Sequence, residues 1–185
     1  LREGIYLVED VADVHKVQPR GTKLAVVTQT TLSVDDAAEI LAAVKRRFPE
    51  VREPKQQDIC YATQNRQDAV KLMSKAVDVV IVVGSPTSSN SNRLREVALK
   101  LGTDAYMVDS ADELRAEWIE GKTRIGLTAG ASAPDILVQQ VIERLRALGA
   151  LSVRKLDGVE ETIKFPLPKG LKLDTAGESS LGHLS

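Results

Sequence analysis

Val77-Asp78-Val79-Val80-Ile81-Val82-Val83-Gly84-Ser85-Pro86-Thr87-Ser88-Ser89-Asn90-Ser91-Asn92 is the stretch that decides the fold. Its first half is a short, β-branched apolar run, the pattern of a strand buried on both faces, and such strands belong to parallel sheets covered by helices. Its second half is a polar island, Ser88 to Asn92, that opens directly onto a helical pattern over Asn92 to Leu101. Strand, polar turn and helix in that order form the unit from which open α/β sheets are built. The turn after such a strand is where those sheets bind ligands.

The alternation continues on both sides of this stretch. Leu24-Ala25-Val26-Val27 reads as a strand. From Ser33 to Phe48 the apolar positions Ala37, Ile40, Leu41, Val44 and Phe48 recur at helical spacing, with Ser33 as the cap, Asp35 and Asp36 in the first turn, and Pro49 as the stop. Asn65 to Ala76 reads as a helix with Val70, Leu72 and Met73 inward. Asp104 to Asp109 is a strand, Ala111 to Ile119 a helix and Ile125 to Thr128 a strand. The clearest helix runs from about Ala133 to Leu148, with Leu137, Val141, Leu145 and Leu148 in one stripe and Gly149 ending it. Alternation of this kind defines an α/β architecture of mostly parallel sheets flanked by helices.

The division by residue number is 1–56 as part of one α/β unit and 57–150 as a second, joined by the polar stretch from Glu50 to Asp58 with its Pro54. Residues 151–174 form a C-terminal extension with short edge strands at Val153 to Leu156 and Thr162 to Leu167, and 175–185 a Gly/Ser-rich disordered tail. The chain opens on Leu1 and runs at once into the β-like Ile5-Tyr6-Leu7-Val8, which reads as a longer protein lacking its first part.

Composition narrows the function. With 185 residues, 43% of them apolar, and a formal net charge of −1, the chain can bury a core and carries no basic excess for nucleic acid or a membrane surface. Its longest apolar run, Val79 to Val83, is far too short to span a bilayer. One cysteine and no signal-like start give a cytoplasmic reading.

Four polar islands remain: Thr28-Gln29-Thr30-Thr31, Asp58-Ile59-Cys60-Tyr61-Ala62-Thr63, Ser88 to Asn92, and Thr128-Ala129-Gly130-Ala131-Ser132-Ala133-Pro134. Small hydroxyl, amide and glycine residues at helix entrances suit an anionic, phosphorylated ligand held by backbone N–H groups. Each island also has a purely structural reading. The threonine run is a strand end with a turn and cap; Ser132 is a helix cap; Cys60 is a small buried hydrophobe. Ser88 to Asn92 resists that reading, since a cap needs one polar residue and four or five crowd this entrance. His15 and His183, the only histidines, fall outside the islands, so neither a Cys-His pair nor a zinc-type spacing is present. Walker, GxGxxG and GxSxG patterns are absent.

These islands, with Leu32-Ser33-Val34-Asp35-Asp36, Asn65-Arg66-Gln67, Arg93-Leu94 and Asp135, closely resemble 4-hydroxy-3-methylbut-2-enyl diphosphate reductase, the iron–sulfur enzyme closing the non-mevalonate isoprenoid pathway. The resemblance covers about Glu3 to Asp174. It implies two units of a three-unit trefoil plus the C-terminal extension, with the first unit absent, and a [4Fe-4S] cluster held by one cysteine per unit, here Cys60. It implies Thr30 beside the substrate hydroxyl with Thr31 next to it, and Ser88, Asn90 and Ser132 on the diphosphate with Ser89 adjoining. It also implies an allylic diphosphate substrate and a ferredoxin or flavodoxin type electron donor. Two further cluster cysteines, the diphosphate-binding histidines and a proton-delivering glutamate find no match in this sequence. A single thiol cannot hold a cubane, so the chain by itself is expected to be inactive. The competing expectation is a non-catalytic α/β module that binds a phosphorylated small molecule; a gene continuing upstream into two more cysteines favours the reductase, one starting near Leu1 the module. A thiol redox protein working through Cys60 is weaker, for want of a resolving cysteine or a base.

Overall fold

The structure is a computed structural model, and it describes residues 4–53 and 58–156. Its centre is the stretch quoted at the outset. Val79–Val83 forms strand β1, every residue of it buried. Strands β2 (Asp104–Val108) and β3 (Ile125–Ala129) pair with it in parallel, giving the order β2-β1-β3. Among the described residues five α-helices accompany them: α1 (Val11–Lys16), α2 (Val34–Arg47), α3 (Tyr61–Ser74), α4 (Ser89–Lys100) and α5 (Asp135–Ala147).

Alternation along β1 sorts the core into two layers. Val80 and Val82 face Val70 and Met73 of α3 and Leu94, Val97 and Ala98 of α4. Val79, Ile81 and Val83 face the opposite side, where Val141 and Leu145 of α5 pack with Leu114 and Ile119. A strand with no exposed face can be apolar throughout, which is why β1 lacks the polar alternation of a half-exposed strand. The helix after β1 and the helix after β3 thus lie on opposite faces of the sheet. The carboxyl ends of these two adjacent strands are therefore the switch point of the sheet, where open α/β sheets place their ligand crevice.

A smaller core lies N-terminal to the sheet. Val14 of α1 packs on Ala43 and Val44 of α2, with Val8, Val11, Ile40, Phe48 and Val51 around them. Ser33 caps α2 as expected, its Oγ accepting from the Asp36 N–H at 3.2 Å. Gly149 ends α5 with φ +107°, a left-handed conformation that glycine adopts without strain, and its N–H donates to the Arg146 carbonyl.

Several expectations need correction. Leu24 to Val27 is not a strand: it makes one parallel bridge, Ala25 with Arg52, and Val27 stands 81% exposed. A strand needs a continuous ladder, and the bridging partner here is a single residue. Ala111 to Ile119 is not one helix but two 3-10 turns, Ala111–Glu113 and Ala116–Trp118. Leu114 breaks it: its backbone is extended and its side chain is drawn into the core, while Trp118 stacks flat on Tyr106 with ring centroids 4.4 Å apart. Leu72 points outward at 61% exposure, because the inward stripe of α3 is Thr63, Gln67, Val70 and Ser74 with Met73. Val153 to Leu156 forms no strand and is exposed, with no strand beside it among the described residues. Helices α3 and α4 begin earlier than their apolar periodicity suggests, so the polar islands lie inside their first turns. The expected strand Thr162 to Leu167 and the tail 175–185 fall outside the described residues.

Candidate functional site

Two pairs of polar islands meet in the fold. The first pair joins the threonine loop to the cysteine segment. Asp58 Oδ2 accepts from the Thr28 N–H at 2.7 Å and from the Thr28 hydroxyl at 3.3 Å. Two residues further along each segment, the Cys60 N–H donates to the Thr30 carbonyl at 3.0 Å. Thr30 and Cys60 are therefore held side by side by the backbone, with both side chains exposed. Cys60 is a free, exposed thiol at the N-cap of α3, where it makes no side-chain cap bond. The reading of Cys60 as a buried hydrophobe fails on that exposure.

The second pair stands at the crevice between β1 and β3. Ser88 caps α4 through its Oγ, which accepts from the Ser91 N–H at 3.3 Å and from the Ser91 hydroxyl at 3.1 Å. Both acceptor positions of Ser88 are thereby occupied from inside, and its own proton is left to donate outward. Ser91 is fully buried between two glycines. A Cβ on Gly84 would stand 2.2 Å from the Ser91 Oγ, and one on Gly130 2.1 Å from it. Only glycine at these positions lets the β1 and β3 loops close onto the head of α4. Asn92 is satisfied locally, donating to the Pro86 and Ser88 carbonyls.

Asn90 is the exception. It is 93% buried by residue surface, at 7% exposure, and neither its Nδ2 nor its Oδ1 has a hydrogen-bond partner. Its Nδ2 lies 3.7 Å from where a Gly130 Cβ would sit, which places it at the crevice. A buried amide without partners costs about 1–3 kcal/mol, and native folds retain such groups rarely. Ser132 is exposed and does not cap α5, whose N-cap is Pro134 without a side-chain bond. The capping reading of Ser132 is thus excluded, whereas that of Ser88 is observed. Ser89 is exposed on the first turn of α4.

Charge at the crevice is neutral on the protein side. Ser88, Asn90, Ser91 and Ser132 carry no charge, and the ion pairs nearest in sequence serve the outside of the helices. Lys100 bonds Asp36 at 2.6 Å, Lys71 bonds Asp35 at 2.8 Å, and Arg93 reaches Glu96. Among the described residues no three His, Cys, Asp or Glu side chains group as a metal site. Cys60 suits one thiolate ligand of an iron–sulfur cluster, and the described residues supply no further one.

Gln67, Ser91 and Gly84 are contributors that the sequence reading quoted within its motifs without giving them a role of their own. Gln67 carries a visible signal, a polar side chain on the inward stripe of an amphipathic helix.

Fold and loop placement together define an α/β protein whose uncharged polar loops gather at the switch point of the sheet, the position where open α/β sheets receive ligands. The family model described as LytB protein matches residues 1–146, and the chain belongs to that family. It is 78% identical over 178 residues to a 4-hydroxy-3-methylbut-2-enyl diphosphate reductase from a Polaromonas species, covering 96% of this chain and 54% of that protein. The reductase of the same name from Methylibium petroleiphilum is 77% identical over 172 residues, covering 92% and 52%. Among solved structures, the E-1-hydroxy-2-methyl-but-2-enyl-4-diphosphate reductase from Plasmodium falciparum superposes with a TM-score of 0.78 at 35% identity, over 88% of this chain and 52% of that one. The chain spans about half the length of the curated relatives it matches.

Proposed function

We propose that the protein carrying this chain reduces 4-hydroxy-3-methylbut-2-enyl diphosphate to isopentenyl and dimethylallyl diphosphate, the allylic hydroxyl leaving as water after addition of two electrons and two protons. The single observation that carries the diphosphate part is Asn90, a buried amide without partners on the first turn of α4, beside Gly130 of the loop after β3. An anionic oxygen entering there gives the Asn90 Nδ2 the acceptor it lacks and meets the outward proton of Ser88. Ser89 and Ser132 are exposed beside the same loops and complete a set of neutral donors. The head of α4 adds its N-terminal field without introducing a cation, so the product diphosphate is held but not trapped.

Thr30 is assigned the contact to the substrate hydroxyl, with Thr31 beside it, and Cys60 the role of a thiolate ligand to a [4Fe-4S] cluster. Support for this pairing is the hydrogen bond that sets Thr30 against Cys60. When bound, such a cluster supplies electrons singly at low potential. A ferredoxin or flavodoxin type protein is the electron donor in this proposal. The sequence has one cysteine, so the 185-residue chain alone is expected to assemble no cluster and show no turnover.

Anaerobic reconstitution tests the assignment. Iron and sulfide near four each per full-length protein, lost with Cys60→Ser, and turnover sharply reduced by Thr30→Val are the expected results. Iron content indifferent to Cys60→Ser removes the cluster role. Retained diphosphate binding without any iron supports instead a non-catalytic α/β module for phosphorylated small molecules, a reading favoured by the crevice donors being independent of Cys60.

A further inference from the structure

Gln67 is fully buried, yet it is a polar residue in the middle of an amphipathic helix. Both polar atoms of its amide are engaged across the fold: Nε2 donates to the Leu32 carbonyl at 2.7 Å, and Oε1 accepts from the Val34 N–H at 3.0 Å. Those two backbone groups bracket Ser33, the cap of α2, and follow directly on Thr30 and Thr31. Gln67 therefore fastens the far end of the threonine loop to the helix that Cys60 heads. Asp58 fastens the near end through Thr28, and the Cys60 N–H holds the middle through the Thr30 carbonyl. Three successive ties run between residues 28–34 and 58–67, and only the outer two are made by side chains.

We propose that Gln67 is a positioning residue that sets the separation of Thr30 from Cys60 by clamping the loop 30–34 onto α3. It acts from seven residues beyond Cys60, two helical turns down, and touches neither side chain. An apolar residue of equal size would fill the space and strand both backbone groups. The threonine loop would then be held at one end, and its middle bond to Cys60 would open more often. The consequence for chemistry rests on the reading of Thr30 as the contact to the substrate hydroxyl, whereas the mechanical coupling does not.

Amide hydrogen exchange on the intact protein separates the two. In Gln67→Met the Cys60 N–H, which Gln67 does not touch, exchanges faster by about tenfold, the equivalent of one buried hydrogen bond, while Val80 and Val82 keep their rates. Gln67→Glu keeps an acceptor for the Val34 N–H but, when ionised, sets a buried charge against the Leu32 carbonyl, so its Cys60 N–H also exchanges faster than in the wild type. In turnover, Gln67→Met lowers kcat and leaves KM nearly unchanged, because the donors on α4 are untouched. An unaltered Cys60 rate in a folded variant overturns the inference. So does a rise shared equally by Cys60, Val80 and Val82 in both variants, which marks Gln67 as serving the core alone. If Thr30→Val leaves turnover intact while the exchange pattern holds, the reading of Thr30 falls and the clamp stands.

Discussion

Ser91 has no room to be larger, and the constraint comes from two glycines, Gly84 just after β1 and Gly130 just after β3. At Gly130 a new Cβ would stand 2.1 Å from the Ser91 Oγ but 3.4 Å from its Cβ. Gly130→Ala must then displace the head of α4 or the loop after β3, a misfit of about 1–3 kcal/mol. In a Ser91→Ala background the same change meets only ordinary contact, so the double variant is more stable than the sum of the singles by about 1 kcal/mol. Thermal unfolding of the four proteins measures this, and equal costs of Gly130→Ala in both backgrounds would contradict the packing. The crowd of polar residues from Ser88 to Asn92 was legible as a site, but which of them turns inward was not. That depends on the phase of α4, which starts at Ser89 rather than at Asn92 as its apolar spacing suggests. The inward stripe of Leu94, Val97 and Ala98 continues back through that added turn to Asn90 and Ser91.

Elements were most readable where one local cause suffices. Strand β1 is read from its apolar run, α2 from its cap and stripe, and α5 from its stripe and Gly149. Ala111 to Ile119 misled because its periodicity is real while Leu114 answers to the core of the sheet rather than to a helix axis. The strand Leu24 to Val27 misled for the opposite reason, since its composition suits a strand and a strand also requires a partner. The entrance to β1 supplies an element-scale prediction. Asp78 Oδ2 accepts from the Arg124 N–H at 2.8 Å, the Thr123 N–H at 2.9 Å and the Thr123 hydroxyl at 2.9 Å, tying the start of β1 to the approach of β3. These bonds, the Arg124 backbone N–H foremost, hold its carboxyl below the ordinary 3.8. A carboxyl lowered on folding stabilises fully above its unfolded value and loses that contribution as pH falls through the lowered one. Asp78→Asn is therefore less stable than the wild type at pH 7, and the difference narrows as pH drops below about 4. Chemical denaturation across pH measures it; a gap constant from pH 7 to 3 would remove this role from Asp78.

At the scale of the molecule, the chain presents a cluster of uncharged polar side chains at the head of α4 and one tethered, exposed thiol. Residues that share a short segment, such as Ser88 and Ser91, are visible to sequence pattern. Those brought together by the fold, such as Gly84 with Gly130 or Gln67 with Leu32, are not, because sequence spacing carries no information on which loops converge. The site's central claim is that Asn90 is kept unpartnered for a ligand, at a standing cost to the unliganded fold. Replacing it with an apolar residue of similar size removes that cost and the binding together. The decisive measurement is paired calorimetry on the intact protein and its Asn90→Leu variant, thermal unfolding without ligand and titration with inorganic diphosphate. The account predicts that Asn90→Leu unfolds at an equal or higher temperature and binds diphosphate at least about tenfold more weakly, the equivalent of one charge-assisted hydrogen bond. Unchanged affinity in a folded Asn90→Leu variant, or no heat of binding with the wild-type protein, would contradict it.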